Sequence, residues 1–136
     1  MSETGTPSLV WVGCQLGNIL VAAKDETMRQ LLDVSLQRIN HAVKMADNGE
    51  EVLELIRGEK FDLVIVDYSM TGMGAMEILQ NLTDNGDEIP QIMILSAKST
   101  PDSIRECAEA GARDYVVKPF NLPVLIERIE VLLHKK

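Results

Sequence analysis

A short apolar run that ends in an acid is the feature that most constrains this chain. Residues 61–70 read Phe-Asp-Leu-Val-Ile-Val-Asp-Tyr-Ser-Met, and the run from Leu63 to Val66 is unbroken and mostly β-branched. Such a run is typical of a strand buried on both faces, as in the middle of a parallel sheet. It stops at Asp67. Ligands of open α/β sheets bind just beyond the carboxyl ends of strands, so Asp67 is either a candidate active group or a simple turn cap.

Size and composition favour one acidic domain. The chain has 136 residues, two cysteines and a formal net charge of −8, and this length suffices for a domain with its own core. An acidic balance argues against direct binding to nucleic acid or to an anionic membrane, because both need basic patches. No apolar stretch is long enough to span a bilayer. Cys14 and Cys107 lie far apart without CxxC or Cys/His spacing, which predicts a cytoplasmic protein with reduced thiols and no zinc site.

Strands and helices are predicted to alternate five times. Apolar runs predict four strands, at residues 19–23, 63–67, 91–95 and 114–117, and an alternating pattern predicts a half-exposed edge strand at residues 41–46. Helical spacing of apolar residues predicts the helices that follow them, roughly 27–40, 49–58, 75–82, 101–110 and 121–133. Asn48 and Glu51 form a capping-box pattern before the second helix. This alternation indicates an α/β fold with a parallel sheet and helices on both faces. The doubly wound strand order 2-1-3-4-5, the flavodoxin-like arrangement, is a standard solution.

The chain is predicted to contain an N-terminal extension and one domain. Residues 1–16 are rich in Ser, Thr, Gly and Pro at their start, and we expect them to be partly disordered. Within them, residues 9–12 could add an edge strand or dock on another chain. The domain is assigned to residues 17–136.

In the predicted fold, the ends of strands one, three, four and five meet at one edge of the sheet. The sequence places these residues there: Ala23, Lys24, Asp67, Ser96 and Lys118. Considered one at a time, Ser96 is most simply explained as a helix or turn cap, and Lys118 as a solvent-exposed lysine. Together, a carboxylate nucleophile, a hydroxyl and an ammonium suit phosphoryl transfer, in which the latter two bind the developing oxygen charges.

At this point the chain resembles a receiver domain of two-component signalling, from about residue 17 to residue 133. Three pieces carry the resemblance: 61–67 (Phe-Asp-Leu-Val-Ile-Val-Asp), 95–97 (Leu-Ser-Ala) and 111–120 (Gly-Ala-Arg-Asp-Tyr-Val-Val-Lys-Pro-Phe). The last piece is long and specific.

The resemblance implies a role for each matching residue. Asp67 is the implied phosphoacceptor, Ser96 the hydroxyl that contacts the phosphoryl group, and Tyr115 the aromatic residue that changes position with it. Lys118 is the implied partner of Asp67 and of a phosphoryl oxygen, and the peptide bond before Pro119 is implied to be cis. A sensor histidine kinase or a phosphotransfer protein is the implied donor. The implied surface for a downstream protein or a homodimer is the face formed by residues 101–133.

The chain departs from the family at the end of the first strand. Receivers carry an acidic pair there, which holds Mg²⁺ together with the phosphoacceptor and the carbonyl two residues later, here Ser69. This chain has Ala23 and Lys24 instead, and Mg²⁺ needs oxygen ligands. We therefore expect no metal cofactor. Lys24 either pairs with Asp67 as a substitute for the metal or points to solvent.

A weaker alternative is that neighbouring acids rebuild the metal site. Asp25 and Glu26 follow the lost pair directly and could join Asp67 and Ser69 around a metal ion. Asp25 is more simply explained as the N-cap of the first helix.

Three functions follow from these residues. The first is a phosphoacceptor switch with altered or lost Mg²⁺ dependence, which is a signalling module and not an enzyme. The second is a pseudo-receiver that binds partners without phosphorylation. The third is a hydrolase of the haloacid dehalogenase type, which needs a second aspartate where this chain has Ser69.

Overall fold

Strands and helices alternate five times in the part of the chain that the structure describes. The structure is a computed structural model, and it describes residues 17–70 and 72–134. The strands are β1 (Asn18–Ala22), β2 (Ala42–Ala46), β3 (Leu63–Asp67), β4 (Ile92–Ser96) and β5 (Asp114–Val117). The helices are α1 (Glu26–Gln37), α2 (Gly49–Gly58), α3 (Ala75–Asp84), α4 (Pro101–Glu109) and α5 (Leu122–His134).

The strands form one parallel sheet in the order β2-β1-β3-β4-β5. This confirms the predicted doubly wound, flavodoxin-like arrangement. In the register, Ala22 of β1 lies opposite Val66 of β3, and Asp67 lies opposite Leu95 of β4. The carboxyl ends of neighbouring strands therefore lie at the same edge of the sheet.

Both faces of the sheet are buried, which explains the unbroken apolar runs. Successive strand residues point to opposite faces, and in β3 both Ile65 and Val66 are almost completely buried. One face packs against α1 and α5, and the other packs against α2, α3 and α4. The apolar stripe of the α1–α5 layer consists of Leu32, Leu36, Leu125, Ile129, Leu132 and Leu133. Burying one such leucine contributes about 1.5–3 kcal/mol.

Side-chain caps fix the starts of two helices where the sequence predicted them. The Oδ1 atom of Asn48 accepts the main-chain N–H of Glu51 at 2.9 Å. Thr100 accepts the N–H of Ser103 at 3.2 Å. The capping box of α2 forms only in part, because the carboxylate of Glu51 accepts the N–H of Asp47 at 3.3 Å. The caps satisfy N–H groups that have no partner within the helix.

Two helix ends differ from the prediction. Helix α1 ends at Gln37 and not near Asn40, because Asn40 has a left-handed backbone with φ of 73°. Asparagine tolerates this conformation better than most residues. The N–H of His41 then returns to the carbonyl of Leu36 at 3.2 Å. Helix α3 runs on to Asp84, past the predicted end at residue 82, and a left-handed Gly86 follows it.

The predicted N-terminal extension, residues 1–16, lies outside the described residues, as does Thr71. The domain boundary at residue 17 and the interpretation of residues 9–12 therefore stay predictions. Within residues 17–70 and 72–134, no helix combines the length and the apolar character needed to cross a bilayer.

Candidate functional site

The parallel strands bring three predicted site residues to one edge of the sheet. Asp67 ends β3, Ser96 ends β4, and Lys118 follows β5 directly. The main-chain N–H of Lys118 donates to the carbonyl of Ser96 at 2.7 Å. The peptide bond between Lys118 and Pro119 is cis, as the resemblance implied. Main-chain bonding thus holds the segment after β5 against the end of β4.

Asp67 and Lys118 form a largely buried ion pair. The Nζ atom of Lys118 lies 2.7 Å from Oδ2 of Asp67, and the two side chains are 25% and 10% exposed. A carboxylate removed from water needs a partner, and the ammonium supplies it. The other carboxylate oxygen, Oδ1, accepts the main-chain N–H of Ser69 at 3.3 Å. Asp67 therefore does cap a turn, as the simpler interpretation expects, but its second oxygen faces a cation.

Ser96 and Tyr115 are connected through the main chain of Lys98. Ser96 is buried, and its Oγ accepts the N–H of Lys98 at 3.0 Å. This bond uses a lone pair of Oγ, so the hydroxyl proton can donate to another acceptor. The hydroxyl of Tyr115 donates to the carbonyl of Lys98 at 2.8 Å.

Lys98 also contacts the residue after Asp67. Its Nζ atom lies 4.7 Å from the ring centroid of Tyr68, which is a cation–π distance. Lys98 therefore contacts three segments of the site edge. The sequence reasoning did not identify Lys98, because a lysine in a loop has no spacing or neighbour that separates it from a solvated one.

Ala23 and Lys24 stand where the acidic pair was expected. Ala23 is buried, whereas Lys24 lies in a bend after β1 and is exposed. The ammonium that contacts Asp67 belongs to Lys118. Within the described residues, Lys24 forms no side-chain hydrogen bond or ion pair. The predicted pair between Lys24 and Asp67 is therefore not formed, and the geometry is that of the solvent-directed alternative. A substitute role for Lys24 in a phosphorylated site stays a prediction.

The guanidinium of Arg29 donates hydrogen bonds to the two carbonyl oxygens that follow β1. The Nη1 atom of Arg29 lies 2.6 Å from the carbonyl oxygen of Ala23 and 3.1 Å from that of Lys24. The sequence analysis did not identify Arg29 as a site residue. The available signal was its position in the first turn of α1, within reach of the preceding loop.

The nearby acids are engaged at the start of α1. Asp25 caps this helix and accepts the N–H of Thr27 at 2.9 Å, which confirms its predicted capping role. The carboxylate of Glu26 accepts a hydrogen bond from Gln30 at 3.3 Å. Neither contact supports the alternative in which these acids rebuild a metal site.

The residues present do not fit a magnesium site. Of the ligands that the resemblance implies, the carboxylate of Asp67 and the carbonyl of Ser69 are retained, and Asp67 is paired with Lys118. Arg29 adds a positive charge where a divalent cation would need oxygen ligands. In the part of the chain that the structure describes, no group of three or more His, Cys, Asp or Glu side chains is placed to hold a metal ion.

The loop after Asp67 rests on the first turn of α2. A Cβ atom on Gly49 would lie 2.3 Å from the carbonyl oxygen of Met73, so this approach requires glycine. Met70 is buried, and Met73 and Met76 pack against the same core. These methionines act as packing residues of the loop.

The predicted partner face combines exposed apolar side chains with an ion pair. Ile104 of α4 and Val124 of α5 are 37% and 50% exposed. The Nε atom of Arg128 donates to Asp114 at 2.9 Å and links α5 to β5. Cys107 of α4 is buried, and this burial raises the pKa of its thiol.

Comparison with known proteins assigns the family. The sequence profile of the response regulator receiver domain matches residues 19–130. This chain belongs to the response regulator receiver domain family. The receiver is 34% identical over 117 residues to the response regulator MprA of Mycolicibacterium vanbaalenii, a match that covers 86% of this chain and 50% of MprA. It is also 34% identical over 114 residues to the sensory/regulatory protein RpfC of Xanthomonas campestris, covering 82% of this chain and 16% of RpfC. The receiver thus spans about half the length of its MprA relatives.

Solved receiver structures share the fold. The receiver domain of the Francisella response regulator 1452 superposes with a TM-score of 0.81 at 26% identity, covering 86% of this chain and 96% of that one. The response regulator TrrA of Thermotoga maritima, solved in complex with Mg²⁺–BeF, gives a TM-score of 0.72 at 33% identity, covering 85% and 97%. This chain is therefore a receiver domain of two-component, phosphorelay signalling. Receivers are in general signalling modules and not enzymes.

Proposed function

We propose that this receiver takes a phosphoryl group on Asp67 and does so without Mg²⁺. The observation that carries the proposal is the ion pair between Asp67 and Lys118, 2.7 Å apart at the end of a fully buried strand. A carboxylate oxygen attacks the phosphorus of the donor, and the bond from phosphorus to the leaving group breaks with its electron pair. Lys118 then binds a phosphoryl oxygen, and the hydroxyl of Ser96 donates to another.

The proposal includes no metal because the acids that would hold a divalent cation are absent. Ala23 and Lys24 stand in their place. The guanidinium of Arg29 binds the carbonyl oxygens of these two residues, and the carboxylate of Asp67 is paired with Lys118. Cationic side chains bind the charge of a phosphoryl group by the same electrostatic principle as a metal ion. In this proposal Lys24 remains a candidate substitute for the missing metal.

We propose that phosphorylation of Asp67 changes the partner face by changing the position of Tyr115. Its hydroxyl is bonded to the loop that follows Ser96, so a movement of that loop changes the position of the ring. Tyr115 lies in β5, within the face formed by residues 101–133. A downstream protein or a second copy of the chain binds this face, and a sensor histidine kinase or phosphotransfer protein supplies the phosphoryl group. The acidic chain works in the cytoplasm and makes no direct contact with nucleic acid.

A second candidate function is a pseudo-receiver that binds partners without phosphorylation. The observation in its favour is the absence of the acidic pair, in whose place stand Ala23 and Lys24. In that function the pair between Asp67 and Lys118 is a permanent structural contact. The hydrolase alternative has the least support, because the family match is to receivers.

Phosphorylation by a small donor separates the two candidates. The protein is incubated with acetyl phosphate and its intact mass is measured, with Asp67→Asn as the control. The proposal predicts an added phosphoryl mass on the wild type and none on the variant. An unchanged wild-type mass with and without Mg²⁺ contradicts the proposal and favours the pseudo-receiver. An adduct that persists in Asp67→Asn contradicts the assignment of the phosphoacceptor.

A further inference from the structure

Lys98 contacts Ser96, Tyr115 and Tyr68. We propose that its ammonium binds the phosphoryl group on Asp67 together with the ammonium of Lys118. The ammonium of Lys98 lies on the ring of Tyr68 while Asp67 is unmodified. It moves to a phosphoryl oxygen once Asp67 carries the phosphoryl group. This inference rests on the proposed function and specifies how the site compensates charge without a metal.

Phosphorylation leaves the site short of positive charge. In the unmodified site, the single negative charge of Asp67 faces the ammonium of Lys118 at 2.7 Å. A phosphoryl group carries about −1.5 to −2 charges at neutral pH, so Lys118 alone balances only part of it. The residues around the site do not fit a divalent cation that would supply the rest. A second cationic side chain must therefore approach the phosphoryl group.

The position of Lys98 meets this requirement. Its main-chain N–H donates to Oγ of Ser96 at 3.0 Å, which fixes its backbone beside the hydroxyl proposed to bind the phosphoryl group. Its ammonium lies 4.7 Å from the ring centroid of Tyr68, the residue directly after Asp67. Lys98 is exposed, so its side chain can change rotamer without disturbing the core.

The two partners of the ammonium differ in strength. The ammonium of an exposed lysine gains little from an aromatic ring, whereas a charge-assisted hydrogen bond to a phosphoryl oxygen is among the stronger polar contacts. In the unmodified site the carboxylate of Asp67 is already paired with Lys118, so the ring of Tyr68 is the available partner. The difference in strength between the two contacts drives the movement of Lys98.

Lys98 also contacts the aromatic residue of the proposed partner face. Its carbonyl accepts the hydroxyl of Tyr115 at 2.8 Å. The same residue therefore contacts the proposed phosphoryl site through its side chain and Tyr115 through its main chain.

Lys24 is the competing cation, and matched variants separate the two lysines. The initial rate of phosphorylation by acetyl phosphate is measured in EDTA for the wild type, Lys98→Gln, Lys98→Arg and Lys24→Gln. We expect Lys98→Gln to lower the rate on the order of tenfold, less than the loss of a buried oxyanion donor, because Lys98 is exposed. Lys98→Arg keeps the charge and is expected to react at close to the wild-type rate, and Lys24→Gln measures the contribution of the competing cation. Unchanged thermal unfolding of each variant shows that the fold is intact.

Several outcomes overturn the role of Lys98. A wild-type rate in Lys98→Gln, or a loss confined to Lys24→Gln, contradicts the role and leaves the proposed function standing. A loss in Lys98→Gln that Lys98→Arg does not restore assigns the effect to packing and not to charge. A wild-type adduct that forms only with Mg²⁺ assigns the charge to the metal. If no wild-type adduct forms under any condition, the proposed function itself fails and the role of Lys98 fails with it.

Discussion

Replacing Gly49 by alanine tests the contact between α2 and the loop after Asp67. A Cβ atom at this position would lie 2.3 Å from the carbonyl oxygen, 2.5 Å from the Cβ and 2.9 Å from the carbonyl carbon of Met73. Favourable contacts between carbon atoms begin at about 3.5 Å, so the overlap is about 1 Å. Two of the three atoms belong to the main chain and cannot rotate away. The loop itself must therefore move to admit the methyl group.

The expected loss of stability follows from two opposing terms. Overpacking a filled site costs about 1–3 kcal/mol. Alanine in place of glycine in a helix restores about 0.5–1 kcal/mol through backbone entropy. The two terms together span about 0–2.5 kcal/mol, and at their midpoints the free energy of unfolding of Gly49→Ala falls by about 1.3 kcal/mol. For a domain of this size, the midpoint corresponds to a decrease in Tm of about 4–5 °C.

The last residue of the same helix provides a matched control. A Cβ atom on Gly58 meets no heavy atom within 4 Å among the described residues, so Gly58→Ala should raise the free energy of unfolding by about 0.4–1 kcal/mol. Urea unfolding followed by circular dichroism measures both variants. Opposite signs support the contact between Gly49 and Met73. A Gly49→Ala variant as stable as Gly58→Ala would refute it.

Three further predictions concern side chains of the site and the core. Lys118→Met should lower the free energy of unfolding by about 1–3 kcal/mol, because it leaves the largely buried carboxylate of Asp67 unpaired. Adding Asp67→Asn should restore part of this loss in a double-mutant cycle by urea unfolding. Arg29→Met should cost about 1 kcal/mol, since the carbonyl of Ala23 loses its 2.6 Å donor; an unchanged urea midpoint contradicts this. Burial raises the pKa of the Cys107 thiol above its ordinary value, so at high pH the folded state keeps a proton that the unfolded state loses. The stability of the wild type relative to Cys107→Ala should therefore be constant at neutral pH and fall as the pH rises through about 8.5, the pKa of a free thiol, and parallel pH profiles would contradict this.

The fold followed from the sequence because its signals are local. A strand buried on both faces must be apolar throughout, and residues such as Ile65 and Ile94 are fully buried for that reason. Capping residues such as Asn48 act within one turn, so they are also visible in the sequence. The end of α1 was missed because it depends on one backbone torsion, at Asn40.

The site followed from the sequence only in part. The positions of Asp67, Ser96 and Lys118 were predictable, because each follows directly from the end of a strand in a parallel sheet. The contacts of Lys24, Arg29 and Lys98 were not. They depend on which way a loop side chain points and on bonds to main-chain carbonyls, and neither leaves a pattern in residue type or spacing.

The initial rate at which acetyl phosphate phosphorylates Asp67, compared between Mg²⁺ and EDTA, tests the central claim most directly. A double variant, Ala23→Asp with Lys24→Asp, serves as the control in which the acidic pair is restored and metal dependence should appear. The account predicts that the wild-type rates agree within about twofold, because side-chain cations and not a metal stabilise the developing charge. A wild-type rate that falls more than about tenfold in EDTA would contradict it.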